Sequence, residues 1–584
     1  MNHRLLPALF ATLVLSAHAA DDTAVDSVDT DHGAESVSVD AVADQPSSAQ
    51  TPAATLPKRE LTPKLLYQFL LAEIAGSRGQ LGLSSEAYTE LARDTRDPRV
   101  ARRAAEIALA ARRYDAALVA AQLWAELDPK AEQPRQMVSS LLAATERPDE
   151  LASHLATQLA AAGSNVGELL VQLSRLLARY PDKKAALGVV TKVTEPYLGI
   201  AEAHFARAQA AHGASDNALA RMELDRALAL RPAWEQAALI RGQLTTDTGE
   251  AAKFLGQFVA ANPKANDVRL GYARSLVADK RYADARQEFQ HLLKDNSDGG
   301  DMAYAVAVLS LQLNDFDEAE KQLKQLVETN HAEINNARIY LGQIAEERKH
   351  WDEALKWYSQ VKAGNQYLAA RLRIAQMYVR QKKLPEARRA LQDSSSANLS
   401  ERGQLLIAES QLLRDAGQQK EAYAILEAGL ALHPDHPELL YETAMMAEKT
   451  GDPLTAERYL RRLIQIKPDY AHAYNALGYS LAERNERLEE AQQLIEKAVQ
   501  LAPEDPFILD SKGWVLFRRG DAGGALDALK KAFAMRADPE IAAHLGEVLW
   551  VLGRQDEARK TWGDADKANP GNDVLIGTIK KFTP

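Results

Sequence analysis

The chain has 584 residues, a formal net charge of −11 and no cysteine. A single hydrophobic core stops growing well below this length, so the chain forms either several domains or a repeat array. The acidic balance and the lack of any polybasic cluster exclude a nucleic-acid footprint, and the lack of cysteine excludes disulfides and a thioether-linked lipid. We therefore expect no nucleic-acid partner and no direct lipid anchor.

The first 19 residues (1–19) have the layout of a secretory signal peptide. Basic Arg4 precedes an apolar run over residues 5–15, and the stretch ends in A-H-A. The apolar run is too short to span a bilayer. His18 stands where a bacterial lipoprotein would need cysteine. The sequence predicts an exported, periplasmic protein and leaves its association with the outer membrane open.

An acidic, low-complexity segment follows over residues 20–60. It carries eight Asp or Glu residues before position 45 and no Lys or Arg before Lys58, with Ala, Ser and Pro between them. Such a composition cannot bury enough apolar surface to fold. We predict a disordered acidic tether.

A strongly hydrophobic helix is predicted next. Thr62 is a suitable N-cap and Pro63 suits the first helical position, and LLYQFLLAEIAG follows over residues 65–76. Apolar residues cover nearly the whole circumference, whereas the outermost helix of a repeat array should have a polar outer face. One side must therefore meet an extra helix, a second copy of the chain or a partner. The candidate partner-binding residues are Leu65, Leu66, Phe69 and Leu70.

Helical hairpins recur through the rest of the chain with a period near 34 residues. The prolines that end them lie 34, 35 and 67 residues apart, the last interval being two units: Pro434, Pro468, Pro503 and Pro570. Small residues open the second helices: Ala456, Ala491, Ala525 and Ala558. Glycines recur in the first helices: Gly478, Gly513 and Gly546. A hairpin this short cannot bury its apolar face alone, so successive hairpins must stack.

This pattern resembles the tetratricopeptide repeat (TPR). The resemblance implies an all-α fold, a TPR α-solenoid wound as a right-handed superhelix of roughly fourteen helix pairs. It is strongest over residues 335–575, degenerate over 201–334 and weaker again over 61–200, where 130–200 lose most signature residues. The repeats leave no room for a catalytic domain, and no H-E-x-x-H, P-loop or G-x-S-x-G motif is present. We expect a protein that is not an enzyme and holds no cofactor or metal.

Aromatic residues occupy positions of the first helices that usually face the concave side of a TPR array. They fall in three consecutive repeats: Tyr479, Trp514, Phe517 and Trp550. Two interpretations remain open, a strip that binds a peptide or packing of one first helix against the next. Tyr479, Trp514 and Trp550 are kept as candidate partner-binding residues.

Several stretches also resemble a family of proteobacterial envelope TPR proteins. Near the N-terminus they are LTPKLLYQFLLAEIAGSRGQ, LARDTRDPRVARRAAEIA and LVAAQLWAELDP, and near the C-terminus DSKGWVLFRRGD and DPEIAAHLGEVLWVLGRQDEA. The resemblance implies an adaptor that docks and activates a carboxyl-terminal processing protease acting on cell-wall hydrolases. A TPR scaffold of envelope polysaccharide export is the alternative left open.

Overall fold

The computed structural model describes Pro57 and residues 59–178, 180–295, 299–393 and 397–583. The predicted signal peptide and nearly all of the predicted tether lie outside the described residues. Within those ranges the chain has 31 α-helices and no strand, so the all-α prediction is confirmed. The described residues divide into two compact units, with the boundary between Gln322 and Leu323.

The first unit contains the helices up to α16, whose last residues belong to the second unit. They are α1 (Pro63–Ser77), α2 (Leu81–Thr95), α3 (Pro98–Ala110), α4 (Tyr114–Leu127), α5 (Glu132–Ala144), α6 (Pro148–Ala161), α7 (Val166–Ala178), α8 (Lys183–Thr194), α9 (Ala201–Gly213), α10 (Asn217–Leu230), α11 (Glu235–Gln243), α12 (Thr248–Ala261), α13 (Asn266–Ala278), α14 (Tyr282–Asp295), α15 (Gly300–Gln312) and α16 (Phe316–Glu328).

The second unit contains fifteen more helices. They are α17 (Ile334–Glu347), α18 (Trp351–Tyr358), α19 (Tyr367–Arg380), α20 (Leu384–Gln392), α21 (Leu399–Asp415), α22 (Gln419–Leu432), α23 (Pro437–Lys449), α24 (Pro453–Ile466), α25 (Ala471–Glu483), α26 (Leu488–Leu501), α27 (Pro506–Arg518), α28 (Ala522–Met535), α29 (Pro539–Val551), α30 (Gln555–Ala568) and α31 (Asp573–Phe582).

In chain order, α1 to α30 make fifteen successive pairs, where the sequence pattern predicts roughly fourteen. The last helix, α31, extends the helical region beyond the predicted boundary at residue 575. It carries no repeat signature, but Leu575, Ile579 and Phe582 recur at helical spacing and pack on the last hairpin. The array therefore ends in a single helix that covers the apolar side of its final pair.

Most hairpin turns contain a residue in the left-handed conformation. Gly553, which the sequence marks as a helix stop, has φ +79° between α29 and α30. Equivalent turns use Gly417, Gly451 and Gly520, which adopt this conformation without steric cost. Earlier hairpins place Lys280 or Asn314 there instead. The glycine stop signal is thus clearest where the repeat pattern is clearest.

Small residues set how closely the two helices of a hairpin approach. Gly546 of α29 faces Trp562 of α30, and a Cβ atom at position 546 would overlap the indole ring. Gly478 and Gly513 likewise face Ile495 and Leu529 at less than ordinary contact distance for a Cβ. The glycines that recur in the first helices are therefore close-approach positions.

Replacing Gly546 with alanine should therefore destabilise the last hairpin. The added methyl group forces the indole of Trp562 out of place, at a cost of about 1–3 kcal/mol. Urea denaturation measures the loss. Gly577 is the matched control, because nothing lies within 4 Å of its Cβ position in α31. There, alanine should stabilise the helix by about 0.5–1 kcal/mol. Equal effects of the two substitutions would contradict the close-approach role.

Candidate partner-binding surfaces

The outermost helix α1 is held close to α2 by small residues. Thr62 caps α1, its hydroxyl oxygen accepting a hydrogen bond from the Leu65 amide at 3.3 Å. The Ser84 hydroxyl of α2 donates to the carbonyl of Ala72 at 2.7 Å, and a Cβ on Gly76 would lie 3.1 Å from that hydroxyl. The buried residues of α1 are Gln68, Ala72 and Ala75. The inner face of α1 is thus formed mostly by small side chains, together with one amide side chain.

The large apolar side chains of α1 point outward instead. Five of them are between 43% and 66% exposed: Leu66, Tyr67, Phe69, Leu70 and Ile74. At about 100° per residue they cover an arc of roughly 160°. Surface helices normally place such an arc against the core. In α1 the orientation is reversed, and the apolar arc is left uncovered by the described residues.

The four predicted residues of α1 do not share one environment. Leu66, Phe69 and Leu70 lie in the exposed arc, but Leu65 is half-buried and packs on the core of the first unit. Leu65 therefore lies toward the packed side of α1, because the short contact at Ser84 turns that side of the helix inward, and its partner-binding role stays a prediction. Tyr67 and Ile74 were not chosen from the sequence, although their spacing from Leu70 places all three on one side.

Polar contacts fix the rotation of α1 about its axis. Lys64 Nζ lies 2.8 Å from Asp94 Oδ2, and the Gln68 amide donates to the same oxygen at 3.3 Å. The hydrogen bond from Lys64 holds the pKa of the Asp94 carboxyl below its usual value. On the other side, the Tyr88 hydroxyl donates to the Glu73 carboxylate. The exposed apolar arc is therefore presented in one orientation.

The second predicted surface lies in the C-terminal unit, on α25, α27 and α29. Trp514 of α27 is only 4% exposed. Its indole N–H donates to Glu483 of α25 at 2.8 Å, and its ring stacks on the imidazole of His544 in α29 at 4.3 Å. For Trp514 the structure therefore favours the packing interpretation, because a ligand cannot reach a ring enclosed by both neighbouring first helices.

A buried histidine lies at the centre of this cluster. His544 Nδ1 is 2.9 Å from Asp510 Oδ2, and His544 Nε2 is 3.4 Å from the Tyr479 hydroxyl. Burial lowers the pKa of His544, but the charge of Asp510 and its hydrogen bond outweigh burial, so the pKa is raised overall. Asp510 and His544 are 34 residues apart, one repeat, and this spacing is the sequence signal that could have paired them.

Trp550 lies at the other side of α29, toward the end of the array. It is half-buried, and its ring stacks on Trp562 at 5.8 Å with Phe582 of α31 at 5.9 Å. The Arg559 guanidinium lies 5.0 Å from its ring centre. Tyr479 is also half-buried. A partner-binding role for Tyr479 and Trp550 stays a prediction. A partner would contact the edge of each ring that remains accessible.

Within the described ranges, no three His, Asp or Glu side chains are grouped so that they could hold a metal ion. Nor is any helix there both long and apolar enough to cross a membrane.

The stacked hairpins define an α-helical repeat protein, and TPR family models match residues 246–309, 304–368, 407–471, 447–506 and 511–573. The chain belongs to the tetratricopeptide repeat family, whose fold is typically a non-catalytic scaffold for protein–protein interaction. It is 34% identical over 525 residues to the TPR repeat-containing protein PA4667 of Pseudomonas aeruginosa, an alignment that covers 89% of this chain and 88% of the relative.

Other similarities are partial. A segment of 179 residues is 24% identical to the human protein O-mannosyl-transferase TMTC1, covering 29% of this chain and 20% of that protein. Among solved structures, the thermophilic TPR protein TTC0263 of Thermus thermophilus is 26% identical. It covers 30% of this chain and 97% of its own length, with a TM-score of 0.28.

Proposed function

We propose that this protein is a periplasmic adaptor that docks and activates a carboxyl-terminal processing protease through α1. The observation that carries the proposal is the exposed apolar arc of α1, centred on Leu66, Phe69 and Leu70. Exposed apolar surface concentrated on one rigid helix is typical of a protein-binding site. The predicted signal peptide supports the location, since such proteases act on cell-wall hydrolases outside the cytoplasm.

The sequence resemblance supports the choice of partner. The segment over residues 61–80 is the most discriminating part of the resemblance to the envelope lipoprotein LbcA, which binds and activates the protease CtpA. That segment contains α1 itself. This chain has His18 where such a lipoprotein needs cysteine. The proposal therefore includes docking and activation but no direct lipid anchor.

The apolar area of the exposed arc limits the binding free energy that α1 can contribute. Burying a fully exposed large apolar side chain contributes about 1.5–3 kcal/mol. Five side chains that are each about half-exposed contribute about 4–7 kcal/mol in total. Association costs about 4–15 kcal/mol before any net affinity remains. The arc of α1 is therefore an anchor that needs further contacts, or several adaptors around an oligomeric protease, for stable binding.

Activation needs no chemistry from the adaptor. A partner with an inactive and an active state shifts toward whichever state binds α1 more tightly. Moving it from 1% to 99% active requires a difference of about 5.5 kcal/mol between the two states. That difference is of the same size as the contribution of the whole arc. Activation by α1 thus requires that nearly all of the arc contacts the active state only.

The test is to mix the purified mature chain with the carboxyl-terminal processing protease of the same organism. Light scattering after size exclusion should show a complex heavier than either component, and cleavage of a cell-wall hydrolase should accelerate at least about tenfold. The same measurement on the chain alone reports self-association, the other occupant the sequence leaves open. A protease that neither co-elutes nor accelerates at micromolar concentrations contradicts the proposal.

A further inference from the structure

Three first helices of the C-terminal unit are joined by one buried group of side chains. The contacts of His544 with Asp510 and of Trp514 with Glu483 link neighbouring first helices, across 34 and 31 positions of the sequence. Tyr479 and His544 are 65 positions apart, so α25 also contacts α29 across α27. In a repeat array each hairpin normally contacts only its neighbours. The three first helices are therefore drawn together at this point.

The imidazole of His544 has contacts that favour its protonated form. Its ring stacks on the indole of Trp514, with the ring centres 4.3 Å apart and the planes inclined by 23°. A cation over the face of an indole ring is attracted to that face. Asp510 places a carboxylate oxygen 2.9 Å from Nδ1. Protonation of the ring thus strengthens two of its contacts at once.

Charged groups of four helices surround this cluster. They are Asp510 and Arg518 of α27, Glu483 of α25, Glu540 and Glu547 of α29, and Lys581 of α31. Four carboxylates and two basic side chains leave a net charge near −2 when the imidazole is neutral. The surroundings of His544 are therefore negative, and its proton offsets part of that charge.

Most of these groups have partners besides His544. Glu547 lies 2.8 Å from Lys581 Nζ. The carboxylate of Glu483 accepts the indole N–H of Trp514 at 2.8 Å. Asp510, by contrast, is only 7% exposed and is paired with His544 itself. Removal of the imidazole proton therefore affects Asp510 more than the other carboxylates.

From this arrangement we propose that His544, Asp510 and Tyr479 form a proton-dependent latch that holds α25, α27 and α29 together. Loss of the imidazole proton removes the positive charge that faces Asp510. A buried carboxylate without a counter-charge is strongly unfavourable, and the entry of water relieves it. The contact between His544 Nε2 and the Tyr479 hydroxyl, at 3.4 Å, is the longest in the cluster and opens first. The unprotonated latch therefore lets α25 and α29 separate.

The latch controls whether Trp514 can be reached from solvent. Its ring is only 4% exposed, because the imidazole of His544 covers one face. Since the pKa of His544 is raised above its ordinary value, the latch is closed at acidic pH and opens as pH rises through the folded pKa. Opening exposes the indole while the hairpins stay folded. This device lies in the C-terminal unit and does not rest on the proposed role of α1.

Hydroxyl-radical footprinting followed by mass spectrometry tests the latch in the intact mature chain. We expect oxidation of Trp514 to rise severalfold between about pH 6 and about pH 9. Trp562, which is 2% exposed in the same unit, is the internal control and should keep its low oxidation. No rise at Trp514 overturns the proposal. An equal rise at both residues indicates general loosening of the unit and overturns it as well.

Spin labels measure the separation of the helices directly, because the chain has no native cysteine. The double variant Glu486→Cys and Val551→Cys places one exposed label just after α25 and another at the end of α29. Over the same pH range we expect the distance between the labels to increase by about 3 Å, the width of one water molecule. Electron–electron double resonance gives this distance. An unchanged distance overturns the proposal.

Two histidine variants then assign the pH response. In His544→Gln, neither the label distance nor the oxidation of Trp514 should depend on pH. His472→Gln changes an exposed histidine of α25 and should leave both pH responses intact. A pH response that persists in His544→Gln, with helix content unchanged by circular dichroism, overturns the proposal. Neither measurement involves α1 or a protease, so failure of the latch would leave the proposed function unaffected.

Discussion

Replacing Trp562 with alanine should lower the stability of the last repeats by about 3–5 kcal/mol, the largest effect expected of a single substitution in the C-terminal unit. Trp562 is only 2% exposed, covers Gly546, and stacks with Trp550 and with Phe582 of α31. Removing its indole leaves a cavity between the last pair and the helix that covers it. The loss should be local, because each hairpin of a repeat array contacts only its neighbours.

Hydrogen exchange followed by mass spectrometry measures this effect helix by helix. We expect backbone protection to fall in α29, α30 and α31 and to stay unchanged in α19 to α22. Trp562→Phe is the control, since it retains a ring over Gly546 and should lose less. An unaltered exchange pattern, or equal losses throughout the C-terminal unit, would contradict this account of the end of the array.

The His544–Asp510 pair should make the C-terminal unit less stable as pH rises. The pKa of His544 is raised in the folded state above its ordinary value of 6.5. Folding therefore favours the protonated imidazole. The resulting stabilisation is fully present below the unfolded pKa and is lost as pH rises through the folded pKa. Asp510 and Glu483 supply the negative charge that the imidazolium faces from the two preceding first helices, and Glu547 supplies it within α29.

Urea denaturation at about pH 6 and about pH 9 tests this linkage. We expect the wild-type difference in stability between the two pH values to shrink in His544→Gln. His291→Gln, which changes an exposed histidine of the N-terminal unit, should leave the difference intact. An NMR titration of the His544 ring gives the folded pKa directly. A folded pKa below 6.5 would reverse the sign and refute the prediction.

Local sequence rules predicted most of the fold because the same small residues recur at each close approach. Gly546 and Ala558 mark the last hairpin as reliably as Gly478 and Ala491 mark an earlier one. The extra helix α31 was missed because it has no partner helix and so no repeat signature.

The candidate partner-binding residues were harder to predict. Helical periodicity shows on which side of a helix a residue lies, but it does not show what packs against that side. Leu65 and Leu66 are adjacent in sequence, yet one packs inward and the other is exposed. Their separation depends on the contact between Ser84 and Ala72, which helical spacing does not reveal. Trp514 occupies a position that usually faces the concave side, but the ring of His544 covers it. Only the three-dimensional arrangement separates packing from binding there.

The central claim is that α1 binds a partner and does not merely end the array. The most direct test is the double variant Phe69→Ser and Leu70→Ser, measured for both melting temperature and protease activation. The matched control is Leu432→Ser with Leu454→Ser, two leucines of the C-terminal unit that are each 75% exposed. We predict that the α1 variant loses activation at least about tenfold while its melting temperature stays close to that of the control. A lowered melting temperature with activation intact would contradict the claim and make α1 a structural end-cap.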